Sequence, residues 1–148
     1  MIYPSLIGLP TPTILTYSKE TVVAEKYETM VSLGIANSRM KDFYDVWTLA
    51  QEFEFDGKLL SQAIRATFER RGTRLPQAIP LALTEEFSGD KSKQSQWTAF
   101  IQRGRLMRQT PGFDGVLTTI NTFLWPVTKA LATGEKFEGR WPAGGRWE

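Results

Sequence analysis

The sequence predicts a mainly α-helical protein: a helical bundle of about five helices with a short N-terminal β or extended segment. Three observations predict it. From Ser18 to Leu131, apolar residues recur at three- and four-residue spacing. Helix stops and starts punctuate that stretch at short intervals, among them Gly34, Asp56, Gly72 and Asp90. Ahead of it stands "IYPSLIGLPTPTILTY", a run of β-formers broken by prolines. The expected organisation is therefore an extended remnant at 1–17, a helical domain at 18–132 and a flexible tail at 133–148.

Each element has its own reason. Pro4, Pro10 and Pro12 keep residues 2–17 from being a helix or a central strand. One or two short strands fit there, and they need partners from elsewhere, since an isolated pair is marginal in water. An unpaired edge seeks a partner, so self-association through this segment is expected. Ser18 caps a first helix over 19–34, with Glu20 in its first turn and Gly34 ending it. Val23, Tyr27, Met30 and Val31 form its apolar face, with Val22, Lys26, Met30 and Leu33 in the adjoining row.

Asn37 or Ser38 caps a second helix over 39–53, whose stripe is Met40, Phe43, Tyr44, Trp47, Ala50 and Phe53. Asp56 caps a third over 57–71, with Leu59, Leu60, Ala63, Ile64, Thr67 and Phe68 spaced as a helix face and Gly72 as the stop. Residues 73–89 read as a loop in which Thr84 can start one helical turn. Asp90 caps a helix over 91–105, turning Gln94, Trp97, Phe100 and Ile101 inward. The last helix covers 114–132, with Pro126 inside it as an expected kink. The tail "GEKFEGRWPAGGRWE" has no periodicity and reads as loose.

Composition excludes much. The 148 residues contain no Cys and no His, which removes thiol and imidazole nucleophiles, Ser-His-Asp triads, haem and nitrogen- or sulfur-ligated zinc. Catalysis would have to rest on Asp, Glu, Lys, Arg, Tyr, Ser or Thr, and a metal would be a hard cation such as Mg²⁺. Hydrophobic residues make up 41% and aromatics 12%, enough for a real core. No run of eighteen apolar residues suggests a membrane span, and no basic leader precedes an apolar core, so a cytoplasmic address is expected. The net charge of +2 permits a basic patch without arguing for nucleic acid.

Charged residues placed on or beside the apolar stripes are the candidates for chemistry. Lys26 reads either as a snorkelling lysine or as a point charge aimed at phosphate. Asp42 and Asp45 share a helix face with Arg39 and Lys41. They read either as solvated pairs, Arg39 with Asp42 and Lys41 with Asp45, or as an inward carboxylate able to act as a base or metal ligand. Arg65, Arg70, Arg71 and Arg74, and again Arg103, Arg105 and Arg108, read either as helix C-termini made basic to suit the dipole or as cationic patches for RNA. Trp141 and Trp147 could stack on bases, or mark a loose end or an oligomer contact.

"ETVVAEKYETM" followed by "NSRMKDFYDVWTLA" resembles the third and fourth motifs of the AbiEii/AbiGii nucleotidyltransferase-like toxin family. The matching positions are Glu20, Ala24, Glu25 and Lys26, then Arg39, Lys41, Asp42, Asp45 and Leu49. The resemblance implies a DNA-polymerase-β-like transferase of toxin–antitoxin and phage-defence (abortive-infection) systems that moves nucleotides from an NTP to RNA such as tRNA ends, with Mg²⁺. It implies that Lys26 touches nucleotide phosphates and that Asp42 completes the active site, with Glu25, Arg39, Lys41 and Asp45 in support. It also implies an antitoxin partner.

The family's first half carries a Gly-Ser turn and an Asp-x-Asp pair that hold Mg²⁺. Neither precedes Glu25 here, where only 24 residues stand. The expectation is a truncated, C-terminal portion of such an enzyme, with no metal ligand or cofactor of its own and no transfer activity alone. The alternative is a free-standing helical module that binds a protein partner, RNA or a second copy of itself.

Overall fold

A computed structural model describes residues 18–104 and 110–148. The extended segment foreseen at 1–17, and Arg105 and Arg108, lie outside the described residues. Six α-helices are described: α1 (Lys19–Leu33), α2 (Met40–Glu52), α3 (Gly57–Arg71), α4 (Glu85–Gly89), α5 (Lys91–Gly104) and α6 (Phe113–Ala132). Two short strands, β1 (Phe55–Asp56) and β2 (Arg140–Trp141), pair antiparallel. The protein is mainly α, as its periodicity requires.

The helix boundaries follow local chemistry. The Ser18 hydroxyl accepts from Thr21 N–H at the start of α1, and Gly34 ends it at φ 54°. Asp56 accepts from the Lys58 and Leu59 N–H groups, and Gly72 closes α3 at φ 67°, a left-handed position where a Cβ costs energy. Thr84 caps α4 through the Phe87 N–H. Pro126 lies inside α6, a single element.

The core forms where three faces meet. Tyr27 and Met30 of α1, Phe43 and Val46 of α2, Leu60, Ile64 and Phe68 of α3, and Ile120, Phe123 and Leu124 of α6 are all at most 1% exposed. α1 packs on α3 and α2, and α6 packs on α2 and α3. A buried polar bond between α1 and α6 joins hydroxyls: Thr128 donates to Leu124 O, and Tyr27 lies 2.7 Å from Thr128 Oγ1. Burial pushes the Tyr27 phenol up to about 12, against the pull of that hydrogen bond.

Several expectations are corrected. Neither Asn37 nor Ser38 caps α2; Arg39 holds the cap position without a side-chain bond. Asn37 instead folds under the turn, accepting from Arg39 N–H at 2.8 Å, and is fully buried. Leu59 is half exposed, because the buried row of α3 is Leu60, Ile64 and Phe68. On α5 the inward residue is Lys93 rather than Gln94. Its ammonium donates to Asn37 O at 2.8 Å and sits 5.1 Å from the Phe87 ring, a buried lysine satisfied by a carbonyl and a π face.

The tail is not loose. Trp141 is 1% exposed and donates its indole N–H to Ala50 O at 2.9 Å. Trp147 donates to Phe123 O and stacks on the Phe123 ring. Packing of two tryptophans, Trp141 buried and Trp147 half-buried, outweighs the weak local propensity of this glycine-rich segment. Both indole N–H groups are committed to backbone carbonyls of the helices.

Candidate functional site

Two positions in α2, one turn apart, and one in α1 build the site. Lys26 lies in the middle of α1; Asp42 and Asp45 lie in the first two turns of α2. Packing of α1 on α2 brings them together although they are 16 or more residues apart in sequence. Lys26 Nζ stands 3.1 Å from Asp42 Oδ1 and 3.1 Å from Asp45 Oδ2. The two local pairs form as well: Arg39 Nε to Asp42 Oδ2 at 3.0 Å, and Lys41 Nζ to Asp45 Oδ2 at 2.6 Å.

Both local pairs form, and the two carboxylates also face Lys26 of the neighbouring helix. Asp42 has one oxygen on Arg39 and the other on Lys26, and Asp45 gives one oxygen to both lysines. The carboxylates are buried, at 8% and 9% side-chain exposure, and Lys26 is largely so at 21%. Burial pulls the Lys26 ammonium down, but Asp45 and then Asp42 outweigh it, and the balance lies above its ordinary 10.5. Lys26 is therefore a fixed cation at neutral pH and cannot serve there as a proton acceptor. Three cations face two carboxylates, so the cluster carries one positive charge in excess.

The cluster borders a groove. A cavity of about 740 Å³ lies between the start of α2 and one face of α5, lined by Arg39, Lys41, Asp42, Ser95, Phe100 and Arg103 among others. Cations outnumber acids on its wall. Gln96 also lines it, and its buried Oε1 has no hydrogen-bond donor among the described residues. Lys26 is one hydrogen bond further in, behind Asp42. The α5 side of the groove was missed by sequence reading. Arg103 was visible only as one of a group of arginines, and nothing local marks Ser95 or Gln96 as facing Asp42.

Glu25 is not part of this assembly. One residue before Lys26, it points to α3, with Arg70 Nη2 at 3.1 Å and Arg71 Nη2 at 3.8 Å from Glu25 Oε2. Buried Glu28 continues that contact, accepting from Arg71 at 2.6 Å and from the Thr73 hydroxyl at 2.7 Å. Arg70 and Arg71, which end α3 and were one candidate patch for RNA, are paired with acids of α1, while Arg65 and Arg74 are exposed.

A divalent metal does not fit the donors present. Among the described residues no group of three Asp or Glu side chains is arranged to hold one. The two clustered carboxylates already enclose an ammonium, which occupies the place a cation would take. No helix among the described residues is long and apolar enough to cross a membrane.

The model of a protein family described as "Nucleotidyl transferase AbiEii toxin, Type IV TA system" matches residues 1–119. No curated protein and no solved structure matches the chain.

Proposed function

The chain belongs to the AbiEii nucleotidyl transferase toxin family of type IV toxin–antitoxin systems, and from that premise we propose that α1 and α2 supply the phosphate-facing cation and one carboxylate of a nucleotide-transfer site whose acceptor is RNA. The observation that carries this reading is the contact of Lys26, at 3.1 Å, with Asp42, which lines a groove whose described wall has a surplus of positive charge. A lysine held charged and half-screened from water is suited to a polyanion, because removal from solvent strengthens its field. Arg39 and Lys41 hold the two carboxylates when phosphates draw Lys26 away from them.

In the proposed reaction the RNA hydroxyl oxygen bonds to the α-phosphorus of an NTP. The bond from that phosphorus to the bridging oxygen breaks, and pyrophosphate leaves with the electron pair. The hydroxyl proton passes to the Asp42 carboxylate. The chain has no Asp-x-Asp pair, and its described carboxylates do not suit a divalent ion. We therefore propose that these 148 residues bind the substrate but do not turn it over alone. Residues of a longer product would complete the site.

The test is incorporation of labelled NTP into RNA, by the chain alone and by the product of the whole reading frame that encodes it. The expected result is label from the whole product and none from the chain alone. Lys26→Ala in the whole product is expected to lower the rate by about 10²-fold or more, the usual loss for one preorganised electrostatic contact. Unchanged incorporation by that variant would overturn the assignment of Lys26.

A further inference from the structure

A second groove lies between the 3₁₀ turn at Leu81–Leu83, α4 and α6, with a volume of about 1060 Å³. Its wall includes Ile79 and Leu81, which are 43% and 56% exposed. Large aliphatic side chains left this open, and grouped, mark a surface that another molecule covers. The adjoining turn Gly34–Ala36 packs on Leu81–Leu83 and adds Ile35, 55% exposed.

The charge of the rim identifies the occupant. Glu85, Glu86 and Asp114 line the groove, and no lysine or arginine does so among the described residues. All three acids are exposed, and none forms an ion pair with a described residue. Nucleic acid and nucleotides are repelled by such a rim. A small neutral ligand would make no use of the acids. On the groove's edge Asn121 donates from Nδ2 to Leu83 O at 2.7 Å, while its Oδ1 has no donor among the described residues, a deficit that an N–H from an occupant can relieve.

We propose that this groove is a docking site for a protein segment with apolar side chains flanked by lysine or arginine. The apolar residues would cover Ile79 and Leu81, and the cations would meet Glu85, Glu86 and Asp114. The proposal does not depend on the catalytic reading of Lys26, whose groove is lined by other residues.

The experiment is selection of a random displayed-peptide library on the full chain, followed by fluorescence anisotropy of the winning peptides. Net-positive peptides with at least a pair of large apolar residues are expected. Their affinity should fall about tenfold or more in the Glu85→Lys/Glu86→Lys variant and again in Leu81→Ser, the loss typical of a central contact. These side chains are exposed, and circular dichroism checks that the variants keep their helices. Acidic or neutral winners, winners that bind the variants equally, or a failure to select any peptide would overturn the proposal. So would sedimentation showing a dimer that Leu81→Ser dissolves, because the occupant would then be a second copy.

Discussion

Glu25 and Lys26 are neighbours in sequence and face different helices, and the two ion-pair clusters they enter differ in kind. Toward α3, Glu25 and Glu28 meet Arg70 and Arg71, two acids against two bases, with Thr73 adding a hydroxyl to Glu28. That cluster is electrically balanced and joins α1 to the end of α3. Toward α2, Lys26 bridges Asp42 and Asp45 while Arg39 and Lys41 add further charge. That cluster is unbalanced and borders an open groove. A balanced cluster stabilises by being complete, whereas an unbalanced one at a groove retains attraction for something outside the chain. The difference separates a clamp from a candidate site more sharply than burial does, since both contain buried carboxylates.

The largest contrast should appear in catalysis. In the whole product, Lys26→Ala should cost about 10²-fold in nucleotide transfer, while Arg71→Ala should cost no more than about threefold, the scale of an indirect effect. Equal losses would erase the distinction between the clusters. The reverse contrast should appear in stability. Glu28→Ala removes the shortest ion pair of Arg71 and the carboxylate that accepts from the Thr73 hydroxyl, and should lower unfolding free energy in urea by about 2 kcal/mol. In a double-mutant cycle with Arg71→Ala, the pair should show a coupling of about 1 kcal/mol or more. A coupling near zero would mean that water replaces the clamp.

Much of this was legible in sequence because helix signals are local. Ser18, Asp56, Gly72 and Thr84 act on N–H and C=O groups within a few residues, so their effects can be read without knowing the fold. The pairing of Arg39 with Asp42 and of Lys41 with Asp45 was legible for the same reason, being one turn apart. The junction of Lys26 with both acids was suggested by motif spacing but depends on how α1 packs on α2, which periodicity does not determine. Non-local burial was hidden altogether. Trp141 looked like part of a loose end, because its anchor, Ala50 O, is 91 residues away. Lys93 was not among the residues read as inward, because the carbonyl it satisfies, Asn37 O, belongs to another turn. The α5 wall of the groove and the acidic groove beside α4 were hidden likewise, as both are assembled by packing.

The clusters should also separate at opposite ends of the pH scale. Burial raises the Glu28 carboxyl, but the bonds from Arg71 and Thr73 outweigh it and hold it below its ordinary 4.5. Its folded value lies below its unfolded one, so its stabilisation is complete above pH 4.5 and is lost as pH falls through the folded value. Lys26 has the opposite sign. Its folded value is raised, so its contribution is complete below pH 10.5 and is lost as pH rises beyond it. Tyr27 loses stabilisation in the same alkaline range, between its ordinary 10.0 and about 12. Glu28→Gln should flatten the acid limb of a stability–pH curve alone. Lys26→Met should flatten the alkaline limb alone, measured in a Tyr27→Phe background so that the phenol does not contribute. An acid limb unchanged by Glu28→Gln would remove the α1–α3 clamp from the account.

The smallest effect belongs to a third ion pair, which tests whether geometry alone makes a cluster matter. Arg140 Nη2 lies 2.8 Å from Glu54 Oε2, and Arg140 Nη1 lies 3.6 Å from Glu148 Oε1. The first distance is as short as several in the two clusters on α1, and the hydrogen bond that Arg140 donates to Glu54 holds the guanidinium above its ordinary range. Yet Arg140 is fully exposed, and both acids are more than half exposed. Water and salt screen such a pair, and ordering three long side chains offsets what attraction remains. The β1–β2 junction instead rests on Trp141, buried against Phe123 with its indole bonded to Ala50 O. Arg140→Ala should therefore leave the melting temperature unchanged within error at any salt concentration, whereas Glu28→Ala lowers it. A drop for Arg140→Ala that vanishes in high salt would show that surface charge, and not burial or balance, is what separates the ion pairs of this protein.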